Sequence, residues 1–197
     1  MSLSTETASQ FIGYLKWLLE ESEDRRGAMA RLRRGLGKPA ATAYEMDRYI
    51  LPRLTEGVTT KQEEAYYLVA ALFAYWHQGK DKAENAEGNL GSALRRLADR
   101  YVADGATRDE AEKRLDKRLK ALLNVHSDDL PQHLRQIVSQ LKSNDVPLNW
   151  ARLLHDVQNW DAESRFVQHE LARGFWIVPR DKKTEELTTS KSIKTKI

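Results

Sequence analysis

The sequence contains no cysteine, which excludes disulfide bonds, thiolate zinc sites and thiol nucleophiles. Proline and glycine are scarce, at five and ten residues in a chain of 197, so few positions interrupt regular structure. The longest nearly apolar run, Ala65–Trp76, is shorter than the ~18–20 residues that a membrane span requires. The opening residues MSLSTETASQ resemble no secretory signal. We therefore expect a cytoplasmic protein without membrane contact.

Between these interruptions, apolar residues recur at the three- and four-residue spacing of helices. The stretch Ala65–Trp76 is apolar on nearly all sides, which is typical of a helix at the centre of a bundle. Thr60 with Glu63 and Thr107 with Glu110 have the spacing of helix capping boxes. No segment alternates as a strand would. The sequence predicts an all-α fold, a two-lobed bundle of about eight or nine helices.

One polar segment, residues 80–88 (KDKAENAEG), has no periodicity and is predicted to be a loop between lobes. It divides the chain into an N-terminal helical lobe, residues 1–85, and a C-terminal helical bundle, residues 86–178. Residues 179–197 are polar and unpatterned, which predicts a disordered tail.

The excess of positive charge is small, because the chain has 32 Lys and Arg and 29 Asp and Glu residues. The distribution of the positive charges is therefore more informative than their number. The segment Arg25–Arg34 (RRGAMARLRR) contains five arginines and no acidic residue. On a helix, Arg26 and Arg33 share one stripe beside an apolar face. One guanidinium group can donate two parallel hydrogen bonds to the oxygens of a phosphate, so this stripe favours binding of a polyanion. The alternative is a solvated face balanced by the acidic run Glu20–Asp24.

Signals of catalysis are weak. His155–Asp156 has the dipeptide of metal phosphohydrolases, yet it lies within an amphipathic helix and lacks clear partner ligands. Gly35–Ala40 has the residue spacing of the dinucleotide-binding pattern GxGxxA. It follows a predicted helix rather than a strand, however, and contains Pro39, so the structural context of that pattern is missing. The chain is predicted not to be an enzyme and to need no cofactor or metal.

Tryptophan side chains suggest either base stacking or core packing. Trp17, Trp150, Trp160 and Trp176 follow the apolar periodicity or lie at helix ends, which favours core packing.

Several segments together resemble the CasB family, the small helical subunit of the type I-E CRISPR Cascade surveillance complex. The resemblance covers about residues 8–178 and depends on the order and spacing of the segments. They are RGAMARLRRG (Arg26–Gly35), LVAALFAYW (Leu68–Trp76), NLGSALRRL (Asn89–Leu97), KRLDKRLKALL (Lys113–Leu123), LPQHLRQIVSQLK (Leu130–Lys142), WARLLHDVQNW (Trp150–Trp160) and ARGFW (Ala172–Trp176).

The resemblance implies a non-catalytic antiviral subunit that pairs with a second copy of itself among the other Cascade subunits. Its basic surface would stabilise the heteroduplex of guide RNA and target DNA, together with the displaced strand. The residues carried over by position are Arg26, Arg33, Arg34, Arg95, Arg96 and Arg135, with Arg114 and Arg118 as a second tier. The alternative is a protein–protein assembly module whose arginines pair with an acidic partner surface.

Overall fold

The computed structural model describes residues 5–177, which form nine α-helices and three short 3-10 helices, with no strand. The α-helices are α1 (Thr5–Glu20), α2 (Arg25–Arg34), α3 (Tyr44–Ile50), α4 (Thr60–Trp76), α5 (Leu90–Ala103), α6 (Arg108–Leu123), α7 (Leu130–Ser143), α8 (Trp150–Gln158) and α9 (Phe166–Trp176). The 3-10 helices are Ala40–Thr42, Leu51–Arg53 and Ser127–Asp129. The predicted all-α class is confirmed for this part of the chain. The predicted tail, residues 179–197, lies outside it.

Helix α4 is the centre of the bundle, as its apolar sequence predicts. Its Tyr66, Phe73 and Trp76 are fully buried, and α2, α3, α7 and α8 pack around it. Its capping box joins Thr59 and Gln62, one residue before the predicted pair. Thr59 has the extended backbone that an N-cap requires, whereas the next residue is already helical.

A second group of helices packs around α5, which contacts α6, α7 and α9. Helices α5 and α9 approach closely, because a Cβ atom at Gly91 would lie only 1.9 Å from the carbonyl oxygen of Leu171. The capping box of Thr107 and Glu110 begins α6, as predicted.

The packing does not follow the predicted lobe boundary at residue 85 throughout. Helix α8 belongs to the C-terminal range, yet it packs on α1 and α4. Its Trp150 meets the Phe73 ring at 5.4 Å and the Trp76 ring at 6.2 Å between centroids. The buried apolar side chains form one continuous cluster. Periodicity shows that α8 has an apolar face but not which helices that face covers.

Residues 80–88 form a loop, as predicted, but one that is held at several points. Lys80 Nζ lies 2.9 Å from a carboxylate oxygen of Asp145, and the Ala86 N–H donates to the carbonyl oxygen of Leu148 at 3.0 Å. The loop thus ties α4 to the connection between α7 and α8.

Three tryptophans are buried: Trp76, Trp150 and Trp160. Two are not, since Trp17 is 50% and Trp176 is 45% exposed. The prediction that both pack in the core is wrong. The buried positions of α1 around Trp17 are those of Leu15, Leu18 and Leu19, and Trp17 lies beyond the edge of that stripe. No helix among the described residues is long and apolar enough to span a membrane.

Candidate nucleic-acid interface

Helix α2 turns its apolar face inward and its arginines outward. Ala28 and Leu32 are fully buried, and the helix packs on α1, α3 and α4. Arg26 is exposed and Arg33 is half-buried. The predicted amphipathic arrangement is therefore present.

Three of the five arginines of α2 form ion pairs within the chain. These pairs are Arg25 with Asp81 at 3.6 Å, Arg31 with Asp24 at 2.7 Å and Arg34 with Glu45 at 2.9 Å. The hydrogen bond from Arg34 lowers the pKa of Glu45. Arg26 and Arg33 make no ion pair in the described part of the chain. The arginine cluster thus divides into three compensated cations and two uncompensated ones.

Lys142, on α7, extends the uncompensated charge beyond α2. Its Nζ donates to the carbonyl oxygen of Tyr75 and lies 4.4 Å from the centroid of the Tyr75 ring. Burial lowers the pKa of Lys142, and the nearby positive charges of Arg33 and Lys80 lower it further. Lys142 is not among the residues predicted from the sequence. The available signal was its place seven residues after Arg135, which returns to the same face after two helical turns.

Arg135 lies near the opposite end of α7. Its Nη1 is 3.6 Å from the position that a Cβ atom of Gly37 would take, just after the end of α2. The side chain is exposed. Arg135 thus lies next to the segment that follows α2, and the charge of Arg33 is near enough to Lys142 to lower its pKa. We call the four cations on these helices the basic seam: Arg26, Arg33, Arg135 and Lys142.

The two predicted arginines of α5 are engaged within the chain. Arg95 pairs with Glu112 at 3.1 Å and with Asp99 at 3.9 Å. Arg96 donates to the carbonyl oxygens of Glu87 at 3.1 Å and Pro147 at 3.0 Å. Burial lowers the pKa of Arg96. Arg96 therefore connects α5 to two loops, a structural contact that its sequence context does not reveal.

The two second-tier arginines lie on α6. Arg114 has its guanidinium carbon 5.3 Å from the centroid of the Tyr101 ring, and Arg118 is half-buried. Neither forms an ion pair with a described residue.

The His155–Asp156 pair belongs to a network between α8 and α9. Arg152 Nε donates to Asp156 Oδ1 at 2.7 Å, and His155 Nδ1 lies 3.3 Å from the same oxygen. Arg152 also pairs with Glu170. The described residues contain no group of three or more His, Asp or Glu side chains placed to hold a metal ion.

The amino-acid sequence matches a known protein family. The family model described as "CRISPR-associated protein Cse2" matches residues 28–176. A protein of that description from Thermus thermophilus is 31% identical over 166 residues, which cover 83% of this chain and 88% of the relative. The chain belongs to the Cse2 family.

Solved Cse2-family structures share the fold. A crystal structure of a Cse2-family protein from Thermus thermophilus superposes with a TM-score of 0.71 at 28% identity, covering 87% of this chain and 98% of that one. A CasB structure from M. ruber gives a TM-score of 0.63 at 25% identity, covering 97% and 98%. A chain of a structure described as a CRISPR RNA-guided surveillance complex gives 0.69 at 25% identity, covering 95% and 98%. The resemblance to the CasB family is thus confirmed.

The match to the Cse2 family includes most of the basic seam. Arg33, Arg135 and Lys142 lie within residues 28–176, whereas Arg26 lies just before them. Tyr14 and Trp17 of α1 lie outside the matched range as well.

Proposed function

We propose that this Cse2-family chain is a non-catalytic, nucleic-acid-binding subunit of a cytoplasmic CRISPR RNA-guided surveillance complex. Its basic seam stabilises the heteroduplex of guide RNA and target DNA and holds the displaced strand. The other subunits and a second copy of the chain are its protein partners. The relative found within a surveillance complex supports this assignment.

The observation that carries the proposal is the lack of acidic partners along the basic seam. Across residues 5–177, ion pairs compensate the neighbouring Arg25, Arg31 and Arg34 but none of the four seam cations. The guanidinium groups of Arg26, Arg33 and Arg135 can therefore attract phosphate without first breaking an ion pair. Lys142 also forms no ion pair, but it would have to release the carbonyl oxygen of Tyr75.

The spacing within the seam also suits a polynucleotide backbone. Arg26 and Arg33 are seven residues apart on α2, as are Arg135 and Lys142 on α7, so each pair spans about 10 Å along its helix. Phosphates of one strand follow each other about every 3.4 Å along the duplex axis. An α-helix lying parallel to the duplex axis would thus present two cations about three nucleotides apart.

Such contacts are sufficient because guide pairing already supplies the sequence specificity. Exchange of a DNA duplex for an RNA–DNA heteroduplex is nearly balanced in free energy. A few backbone contacts that favour the opened state shift this balance without reading bases.

The remaining predicted arginines differ in what binding would require of them. To bind a phosphate, Arg34 would give up one ion pair and Arg95 would give up two, each worth about 0–1 kcal/mol. Arg114 and Arg118 would give up none. Arg96 would have to release two backbone carbonyls. We therefore place Arg26, Arg33 and Arg135 first, and assign Arg96 mainly to holding the loops.

The test compares two double variants of the full chain. Arg26→Ala/Arg33→Ala removes two seam cations, and Lys113→Ala/Lys120→Ala removes two cations that are paired within α6. Binding of a labelled single strand of about 20 nucleotides is measured by fluorescence anisotropy. We expect weak binding without sequence preference in the wild type and the control, and a clear loss in the seam variant.

Equal binding by the two variants would contradict the proposal. It would favour the assembly module, in which the arginines pair with acidic protein surface. Melting curves accompany the assay, because a seam variant that unfolds would show that Arg26 and Arg33 are structural.

A further inference from the structure

A small cleft lies between the end of α2 and the beginning of α3. Its volume is about 170 Å³, close to the ~150 Å³ of a cavity that holds one benzene ring. Gly35 allows α2 to end this close to α3, because a Cβ atom there would lie 1.9 Å from Met46 Sδ. We call this cleft the α2–α3 notch. The side chains that give it its chemistry are those of Arg31, Arg34, Lys38, Tyr44 and Glu45.

The charged side chains of the notch favour an anion. Glu45 is the single carboxylate among the described residues that line it, and it pairs with Arg34 at 2.9 Å. Arg31 pairs with Asp24, outside the notch, at 2.7 Å. Lys38 forms no ion pair with a described residue. The hydrogen bond from Arg34 lowers the pKa of Glu45, and the charges of Lys38 and Arg31 lower it further, so the notch is positive even at its carboxylate.

An open aromatic ring lies beside these cations. Tyr44 is the most exposed large apolar side chain of residues 5–177, at 73%. Arg48 follows one turn later on the same face of α3, is exposed and forms no ion pair with a described residue. Asp47 instead accepts a hydrogen bond from the Tyr67 hydroxyl at 2.7 Å. Both carboxylates of α3 are thus engaged within the chain, whereas Lys38 and Arg48 remain uncompensated.

The notch also continues the basic seam. The Lys38 N–H donates to the carbonyl oxygen of Gly35 at 2.9 Å, which closes a tight turn after α2. Gly37, with a φ of +85°, supplies the left-handed conformation that such a turn requires. Arg135 Nη1 lies 3.6 Å from the position that a Cβ atom of Gly37 would take. A strand that contacts Arg135 is therefore led directly to Lys38.

A larger cleft of about 740 Å³ on the other side of Lys38 lacks this selectivity. Its charged lining residues are the cations Lys38, Lys61 and Arg135 and the acids Glu64, Asp128, Asp129 and Asp161. Neither sign of charge predominates there. A phosphate is therefore favoured in the notch rather than in the larger cleft.

A positive cleft beside an open ring matches one unit of an unpaired strand. The phosphate provides the negative charge that Lys38 and Arg34 attract. The base provides a flat face that stacks on the ring of Tyr44, whatever its sequence. In a duplex the faces of the bases are covered by the neighbouring pairs, so that only the phosphate contact remains.

We propose that the α2–α3 notch binds one unpaired nucleotide of a single strand, with its phosphate at Lys38 and Arg34 and its base stacked on Tyr44. Stacking makes the chain prefer a single strand to a duplex. Such a site rests on the proposed function and extends it, because the contacts of the basic seam are with phosphates alone.

The experiment measures binding of the full chain to three labelled probes by fluorescence anisotropy. The first is a thymidine strand of about 20 nucleotides, the second is a strand of the same length without bases, and the third is a duplex of that length. The strand without bases keeps every phosphate, so its comparison with the thymidine strand isolates the contribution of stacking.

Each variant has a matched control. Tyr44→Ala removes the ring and Tyr44→Phe keeps it. Trp176→Ala removes another exposed ring, 45% exposed, whose Nε1 donates to Asp116. Lys38→Gln removes the uncompensated cation, whereas Lys113→Gln removes a lysine that is paired with Asp109.

We expect Tyr44→Ala to weaken binding of the thymidine strand about fivefold or more, the contribution of one base stacked on an aromatic side chain. Its binding of the strand without bases and of the duplex should be unchanged. Lys38→Gln should weaken binding of both single strands. Tyr44→Phe, Trp176→Ala and Lys113→Gln should bind all three probes as the wild type does.

Unchanged binding of the thymidine strand by Tyr44→Ala would overturn the proposal, as would an equal loss on the strand without bases or in Trp176→Ala. Displacement of the strand from the wild type by thymidine monophosphate at the same concentration would indicate a site for free nucleotides and also overturn it. Failure of the proposed function has a different signature, namely equal binding by the variant Arg26→Ala/Arg33→Ala and its own control.

Discussion

His77 Nε2 accepts a hydrogen bond from the backbone N–H of Glu84 at 2.9 Å. Because an accepting ring nitrogen carries no proton, the proton of the neutral ring is on Nδ1, which lies 2.9 Å from the carbonyl oxygen of Phe73. The ring is 2% exposed, and burial lowers the pKa of His77 to about 4. A neutral imidazole therefore joins the loop of residues 80–88 to the end of α4.

This contact predicts that folding stability depends on pH. The pKa of His77 is about 6.5 in the unfolded chain and about 4 in the folded one, so the unfolded state binds more protons between these values. The stabilisation is complete above pH 6.5 and is lost as the pH falls toward 4. Between pH 7.5 and 5 we expect a loss on the order of 2 kcal/mol, measured by urea unfolding.

The control for this pH dependence is a histidine without such contacts. His77→Asn should be less stable at neutral pH and should lose most of the slope, whereas His169→Gln, at an exposed position, should keep it. An unchanged slope in His77→Asn would assign the pH dependence to other groups.

Arg96 is expected to matter for stability more than its neighbour Arg95. Arg96→Ala leaves the carbonyl oxygens of Glu87 and Pro147 without their charged donor, which should cost about 2–4 kcal/mol. Arg95→Ala breaks partly exposed ion pairs, which should cost about 1 kcal/mol. Thermal unfolding of both variants gives the comparison. Similar melting temperatures would contradict the structural role of Arg96.

Two glycines in helices should respond to alanine in opposite directions. At Gly91 the added methyl group would meet the carbonyl oxygen of Leu171, so Gly91→Ala should destabilise by about 1–3 kcal/mol as α5 and α9 are forced apart. At Gly13 nothing lies within 4 Å of an added Cβ. Gly13→Ala should therefore stabilise α1 by about 0.5–1 kcal/mol. Chemical denaturation measures the free energy of unfolding of both variants. Destabilisation by Gly13→Ala as well would contradict the open space seen around Gly13 in α1.

Binding of a single strand should depend on salt in proportion to the seam contacts. If three or four cations each neutralise one phosphate, log K should fall with log salt concentration at a slope of about −2 to −3. Arg26→Ala/Arg33→Ala should make the slope shallower by about 1.4. Anisotropy titrations at several salt concentrations give the slopes, and a flat response in the wild type would rule out phosphate contacts.

The sequence by itself determined the secondary structure and the family. Helical periodicity and capping are properties of short segments, so the capping box of Thr107 and Glu110 and the loop of residues 80–88 were predictable. The ordered segments from Arg26 to Trp176 were sufficient to indicate the family, because that resemblance depends only on the order of residues along the chain.

Only the tertiary structure decided which charges are free and which rings are covered. Arg33 and Arg34 are neighbours in sequence, yet Arg34 pairs with Glu45, while Arg33 forms no ion pair with a described residue and its charge lowers the pKa of Lys142. Trp17 and Trp150 are both predicted to pack in the core, but only Trp150 does so, against the rings of α4. Ion pairing and burial depend on contacts between helices distant in the chain, and helical periodicity carries no information about which helices meet.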